Sequence, residues 1–225
     1  GSTPGVFIIS AITGSTTEAG GTATFTVKLN SQPSANVSIA ISSSDTTEGT
    51  VSPSSIMFTS SNWSTAQTVT VTGADDTAVD GNQGYTIVLG VASSSDSNYS
   101  GLDPADVSVS NTDDDTPGIT INSPGDNTTE SGSSFTFTTK LNSQPSSDVT
   151  IAISSTDTSE GSVSHSSLTF TSSNWSTEQS VLVFGVDDSL DDGNQNYTIT
   201  IGAASSSDSN YYGTDPDDLS VTNID

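Results

Sequence analysis

Apolar and polar residues alternate along most of the chain with a period of two. The clearest stretch, residues 22–29, reads Thr-Ala-Thr-Phe-Thr-Val-Lys-Leu. This period is typical of a β-strand with one buried face. The same pattern predicts buried positions at Val37, Ile39 and Ile41, at Val69 and Val71, at Tyr85, Ile87, Leu89 and Val91, and at Val107 and Val109.

Turn residues separate these stretches, and none of them has the spacing of an amphipathic helix. Two further segments, residues 6–12 and 56–58, also have strand character. The pattern therefore predicts an all-β protein with about seven strands in its first half, which is the number that an immunoglobulin-like sandwich needs.

The chain contains an internal duplication with an offset of 112 residues. The heptapeptide Thr-Ser-Ser-Asn-Trp-Ser-Thr surrounds both Trp63 and Trp175, and Leu-Asn-Ser-Gln-Pro-Ser begins at both Leu29 and Leu141. Each copy has the size of a small β-sandwich domain. We therefore expect two tandem immunoglobulin-like antiparallel β-sandwiches of about seven strands each, residues 1–115 and 116–225, with the junction at residues 111–117.

The aromatic residues have both a structural and a functional interpretation. Tyr85 and Tyr197 begin the sixth strand of each copy, where a tyrosine corner lies in immunoglobulin-like folds. Trp63 and Trp175 lie next to a short turn and are expected to fill the core. The alternative is an exposed sugar-stacking surface.

Composition excludes several functions. The 225 residues include 27 Asp and Glu but only Lys28 and Lys140 as cations, which gives a formal charge of −25. Nucleic acids and anionic membranes need clustered cations, so neither is an expected partner. The chain has no Cys, which removes disulfides and thiolate metal sites, and no apolar run is long enough to insert into a membrane.

The acids are concentrated in loops that share one end of the predicted sandwich. If successive strands alternate in direction, the loops after the first, third and fifth strands lie beside the exit of the seventh. The acids of these loops are Glu18, Asp45, Glu48, Asp75, Asp76, Asp80, Asp113, Asp114 and Asp115. Two carboxylates about 5 Å apart repel by roughly 3 kcal/mol at an effective dielectric of 20, so the gathering needs a cation, protonation or splayed side chains.

Calcium is the cation that best fits this gathering. The candidate ligands are all oxygens and number more than six, which favours Ca²⁺ over Zn²⁺ and Mg²⁺. The second copy carries acids 112 residues later, at Glu130, Asp157, Asp187, Asp188 and Asp192. A solvated acidic surface is the alternative, but it predicts acids on exposed strand faces, and those faces carry Thr and Ser.

Several motifs resemble those of Calx-beta domains. They are Glu18-Ala-Gly-Gly21 and Glu130-Ser-Gly132 after the first strand, the pairs Asp75-Asp76 and Asp187-Asp188, and the run Asp113-Asp-Asp115. The resemblance covers both copies and implies a calcium-binding immunoglobulin-like sandwich. It implies calcium ligands at Glu18, Asp45, Asp75, Asp76, Asp80, Asp113, Asp114 and Asp115.

The resemblance also suggests a difference between the copies. Asp225 corresponds to Asp113, so the second site is expected to lack the last two acids and to bind calcium more weakly. The Ser- and Thr-rich tandem composition resembles the bacterial extracellular members of the family. We further expect that metal at Asp113–Asp115 fixes the angle between neighbouring repeats.

Three functions remain open at this point. The leading one is a calcium-rigidified stalk or spacer in an adhesin or fibre, secreted or on a bacterial cell surface, whose ligand on a cell surface or glycan binds elsewhere in the parent protein. The others are a carbohydrate-binding or accessory module of a secreted enzyme and a regulatory calcium sensor. Catalysis is not expected, because the only histidine, His165, has no triad partner that the sequence can identify.

Overall fold

The structure, a computed structural model, describes residues 5–123, 125 and 127–225. The chain divides into two compact units. Unit 1 comprises Gly1–Asp76 and Asp80–Asp114, and unit 2 comprises Thr77–Val79 and Asp115–Asp225. The described residues form strands, turns and loops without any helix, so the predicted all-β class is confirmed.

The described residues of unit 1 form ten strands, several of them short. They are β1 (Phe7–Ile9), β2 (Thr16–Thr17), β3 (Thr22–Leu29), β4 (Val37–Ser43), β5 (Gly49–Ser52), β6 (Ser55–Phe58), β7 (Gln67–Gly73), β8 (Gln83–Leu89), β9 (Ser93–Ser94) and β10 (Val107–Thr112). One sheet has the order β1-β3-β7-β5, and the other has the order β2-β10-β8-β4-β6, with β9 also paired to β4.

This order matches an immunoglobulin-like sandwich, in which strands A, B, E and D form one sheet and strands C, F and G form the other. Here β1, β3, β7 and β5 correspond to A, B, E and D, and β4, β8 and β10 correspond to C, F and G. The N-terminal segment contributes to both sheets. Strand β1 pairs antiparallel with β3, and β2 pairs parallel with β10. The single strand predicted over residues 6–12 is therefore observed as the shorter β1 followed by a crossover to β2.

Unit 2 repeats this arrangement. Its strands are β11 (Ile119–Asn122), β12 (Asn127–Thr129), β13 (Ser134–Leu141), β14 (Val149–Ser155), β15 (Gly161–Val163), β16 (Ser167–Phe170), β17 (Gln179–Gly185), β18 (Gln195–Ile201) and β19 (Leu219–Ile224). They form sheets of order β11-β13-β17-β15 and β12-β19-β18-β14-β16.

Each unit has its own core between its two sheets. The inward positions predicted from the period-two pattern are buried, including Phe25 at 1% exposure and Ile87 at 0%. Val91 is the exception at 58% exposure, because β8 ends at Leu89 before it.

The aromatic side chains have structural positions. Trp63 and Trp175 are half-buried and pack against the cores of their units, as predicted. Tyr85 is buried, and its hydroxyl lies 2.9 Å from the hydroxyl of Thr16 on β2. Among the residues described, none belongs to a helix with the length and hydropathy of a membrane span.

Candidate metal centre

In unit 1 the acid-bearing loops meet at one end of the sandwich. Thr22 at the start of β3 pairs with Thr72 near the end of β7. Thr112 at the end of β10 pairs with Thr17, so the loops between β2 and β3 and after β7 share an end with the exit of β10. The β4–β5 loop joins them, because the Ala74 amide donates to the Glu48 carbonyl oxygen at 2.9 Å.

Three carboxylates of unit 1 form a close group. One carboxylate oxygen from each of Glu48, Asp76 and Asp80 lies within 4.8 Å of the other two. Glu48 is only 8% exposed, and its Oε2 atom is buried without a hydrogen-bond partner. A buried carboxylate oxygen in that state has lost its hydration without compensation. A cation bound by this group would supply that compensation.

The electrostatics of the group oppose its own ionisation. Burial raises the pKa of Glu48, and the charges of Asp80, Asp45 and Asp76 raise it further, against the lowering effect of a hydrogen bond from Asn111. Two ionised carboxylates at 4.8 Å repel by roughly 3 kcal/mol at an effective dielectric of 20. A divalent cation would reverse the sign of this interaction.

Glu18 lies close to the same charges. Its side chain is 2% exposed, and its Oε2 accepts a hydrogen bond from the Asp114 amide at 3.4 Å. Burial, followed by the charges of Asp113, Asp76 and Asp80, raises the pKa of Glu18 to about 7, although the Asp114 amide lowers it. The structure therefore brings Glu18, the first predicted acid of unit 1, against the acidic run that follows β10.

Asp113 connects the exit of β10 to the β7–β8 loop. Its Oδ2 accepts a hydrogen bond from the Gly81 amide at 2.6 Å, and its own amide donates to Asn82 Oδ1 at 3.1 Å. These two bonds hold the loop that contains Asp80. The next acid in the predicted run, Asp115, is counted with unit 2.

Unit 2 contains the equivalent group. Carboxylate oxygens of Glu160, Asp188 and Asp192 lie within 4.8 Å of one another. Glu160 is buried, and its Oε2 accepts a hydrogen bond from Asn223 Nδ2 at 3.3 Å. Each member stands 112 residues after its counterpart in unit 1, so the duplicated sequence builds the same group twice.

Two further predicted acids lie near this second group. Burial raises the pKa of Glu130, and the charges of Asp225, Asp188, Asp192 and Glu160 raise it further. Asp225 Oδ2 also accepts a hydrogen bond from the Gly193 amide at 3.0 Å, as Asp113 does from Gly81 in unit 1.

Other predicted ligands lie outside the groups of three. The Oδ1 atom of Asp45 accepts hydrogen bonds from the amide and hydroxyl of Thr47, and these bonds lower the pKa of Asp45. Asp157 makes the same turn with Ser159, and its pKa is lowered in the same way. Asp75 and Asp187 are exposed. Ligation by these four residues stays a prediction.

Glu48 and Glu160 belong to the groups of three, although the expected ligands of their loops are Asp45 and Asp157. The signal for Glu48 is its proximity to Asp45 in one loop. Asn111 is a second residue beyond the predicted set. Its signal is a polar residue at an inward strand position, two residues after Val109.

The donor set matches calcium chemistry. Three carboxylates offer up to six oxygens, and Ca²⁺ takes six to eight oxygen ligands in flexible geometry. Zn²⁺ prefers nitrogen or sulfur, but the chain has no Cys, and its one His lies between β15 and β16. The half-buried Asp76 and exposed Asp80 leave room for water ligands.

No protein-family model matches the chain, and no curated protein matches it. Among solved structures, it resembles CBD12 from CALX1.2, with 17% identity over 85% of this chain and 77% of that one and a TM-score of 0.37. The calcium binding domain CBD12 of CALX1.1 gives 16% identity over 85% and 77%, with a TM-score of 0.37. Domains 4 and 5 of the S-layer protein SbsC give 13% identity over 83% and 75%, with a TM-score of 0.33. These scores lie below the level at which a shared topology or site can be inferred.

Proposed function

We propose that each unit binds Ca²⁺ at its acid group and that the chain is a calcium-rigidified structural module of a secreted or cell-surface protein. In unit 1 the proposed ligands are Glu48, Asp76 and Asp80, and in unit 2 they are Glu160, Asp188 and Asp192. The proposal assigns no catalytic step to the chain.

One observation carries the proposal. The Oε2 atom of Glu48 is buried without a hydrogen-bond partner and belongs to a side chain grouped with two other carboxylates. An acidic surface needs no buried acid, since exposed carboxylates are hydrated equally well without one. A buried glutamate in such a group has a physical reason if a cation binds it.

Calcium would also stiffen each unit. Glu48 directly precedes β5, and Asp76 and Asp80 follow β7, which pairs with β5 in one sheet of unit 1. A shared ion would tie the β4–β5 loop to the β7–β8 loop at this end. Because calcium binds only the folded arrangement, it would stabilise the unit by an amount that grows with the logarithm of the calcium concentration.

Calorimetric titration of the full chain tests calcium binding. We expect a dissociation constant on the order of 0.1–1 mM, which is the range of extracellular modules, and weaker binding of Mg²⁺. Asp76→Asn and Asp188→Asn should each remove binding at one unit. The matched controls are Asp103→Asn and Asp215→Asn, which remove the same charge from exposed positions outside the groups.

Unchanged binding in both Asp76→Asn and Asp188→Asn would contradict the assignment of the sites. A dissociation constant a hundredfold lower would instead favour the calcium-sensor function.

The spacer function has a separate test. Small-angle scattering with calcium and with chelator should give a longer and better-defined maximum dimension in calcium. An identical distance distribution in both states would reject the spacer function while leaving calcium binding intact.

A further inference from the structure

A buried chain of hydrogen bonds runs from the core of unit 1 to the acid group. The Tyr85 hydroxyl lies 2.9 Å from Thr16 Oγ1, which lies 2.9 Å from Asn111 Oδ1. Asn111 Nδ2 donates to the Ala74 carbonyl oxygen at 3.0 Å, and the Asn111 side chain lowers the pKa of Glu48 as a hydrogen-bond donor. Thr16 and Asn111 are 0% and 1% exposed, so water does not compete for these bonds.

The direction of every bond in this chain can be assigned. The carbonyl oxygen of Ala74 and the carboxylate of Glu48 only accept, so both must face the amide nitrogen of Asn111. The amide oxygen then faces Thr16, whose single proton it accepts. Tyr85 consequently donates to Thr16, and all the donors are directed toward Glu48.

Two glycines make room for this chain. A Cβ atom at Gly73 would lie 2.5 Å from Asn111 Oδ1, and one at Gly49 would lie 2.2 Å from the Tyr85 hydroxyl oxygen. Any larger residue at either position would displace the network. The backbone next to Glu48 is thus shaped around the asparagine and the tyrosine.

Unit 2 has the same network. Thr128 Oγ1 lies 3.0 Å from both the Tyr197 hydroxyl and Asn223 Oδ1. Asn223 Nδ2 lies 3.0 Å from the Val186 carbonyl oxygen and 3.3 Å from Glu160 Oε2. Asn223 is 1% exposed, and a Cβ atom at Gly185 would lie 2.8 Å from Asn223 Oδ1.

We propose that Asn111 and Asn223 are positioning residues that orient the buried glutamate of each metal site. The inference rests on the proposed function. In unit 2 the asparagine donates to Oε2 of Glu160 at 3.3 Å, and in unit 1 Asn111 lowers the pKa of Glu48 as a hydrogen-bond donor from the equivalent position. Outer-shell hydrogen bonds of this kind fix ligand orientation, and their loss typically weakens metal binding about 10- to 100-fold.

The test uses the full chain with Asp188→Asn and Asp192→Asn, which silence the site in unit 2. In this parent, Asn111→Leu replaces the amide with an apolar side chain of similar size. We expect it to weaken calcium binding about tenfold or more.

Tyr85→Phe is the control for a purely structural role. It removes the far end of the network but leaves the bond between Asn111 and Glu48, so it should lower the melting temperature while changing the calcium affinity less than about twofold. If Asn111→Leu does not fold by circular dichroism, Asn111→Ser takes its place in the same comparison.

The outcomes separate the two proposals. A folded parent that binds no calcium rejects the proposed function and this inference with it. A parent that binds calcium but is insensitive to Asn111 substitution rejects the positioning function alone. Equal affinity losses in Asn111→Leu and Tyr85→Phe also reject it.

Discussion

The two units have the same acid group in their loops, although the outward faces of their strands differ. Glu48 and Glu160 are both buried at the same point of the fold. By contrast, β7 has Thr70 and Thr72 at outward positions where β17 has Leu182 and Phe184, exposed at 36% and 37%. The outward strand positions have therefore diverged in polarity, whereas the loop ends have kept both their residue types and their geometry.

The cores also differ at one informative position. Val27 of β3 is fully buried in unit 1, and its counterpart in unit 2 is Thr139. The Thr139 hydroxyl is buried without a hydrogen-bond partner. Unit 2 thus contains a buried polar atom with no group of acids around it, which is a packing defect. The buried oxygen of Glu48 differs because two other carboxylates lie beside it.

The comparison predicts a large and separable calcium effect. Calcium at about 100 times the dissociation constant should add about 2.7 kcal/mol to the free energy of unfolding of each unit. Glu48→Gln should remove this gain from unit 1 only, and Glu160→Gln from unit 2 only. Scanning calorimetry with calcium and with chelator measures both gains, and a gain that survives the paired substitutions would contradict the site.

Exchange of the core residue should reproduce the defect in unit 1. Val27→Thr places a hydroxyl in the apolar core and should cost about 1–3 kcal/mol of stability, because the hydroxyl would be desolvated without a partner. Urea denaturation in chelator measures the cost. No loss at Val27 would mean that the core of unit 1 satisfies a hydroxyl at this position.

The reverse exchange should remove the defect from unit 2. Thr139→Val is expected to stabilise it by about 1 kcal/mol, since it deletes a buried, unbonded hydroxyl at constant volume. Thr136→Val, on the outward face of β13, is the control and should change stability by less than about 0.5 kcal/mol. A destabilised Thr139→Val variant would show that the hydroxyl is satisfied in solution.

The smallest expected effect concerns the dependence of stability on pH. The pKa values of Glu18 in unit 1 and Glu130 in unit 2 are both raised. Between the ordinary glutamate pKa of 4.5 and about 7, folded Glu18 holds a proton that the unfolded chain releases. Stability of the calcium-free chain should therefore fall as pH rises through this window and level off above it. Urea midpoints at several pH values check this, and a profile unchanged by Glu18→Gln would contradict it.

Much of the fold follows from the sequence because strand burial has a period of two. Phe25 and Ile87 are buried for that reason. The strand β5 is harder to predict, since Gly-Thr-Val-Ser contains only Val51 as an apolar signal. The prediction that Val91 is buried is wrong for a related reason. Strand β8 ends at Leu89, before Gly90, so the alternating pattern continues in the sequence past the end of the strand.

The sequence predicts Asp76 and Asp80 of the candidate site by residue, but it does not single out Glu48. Strand direction places the acids at one end, and the duplication shows which positions recur. Only the folded loop shows Glu48 grouped with these acids, while Asp45 accepts a hydrogen bond from the Thr47 hydroxyl. In the sequence, Asn111 resembles a turn residue before an acidic run. Only the folded structure shows its hydrogen bonds to Thr16 and to the residues beyond it.

Anomalous diffraction from crystals grown in calcium would locate the ions themselves. We expect a calcium peak about 2.3–2.6 Å from Oε2 of Glu48, with Asp76 and Asp80 also coordinating, and a second peak at Glu160. Well-ordered carboxylates at both groups with no anomalous peak near either glutamate, in crystals saturated with calcium, would contradict it.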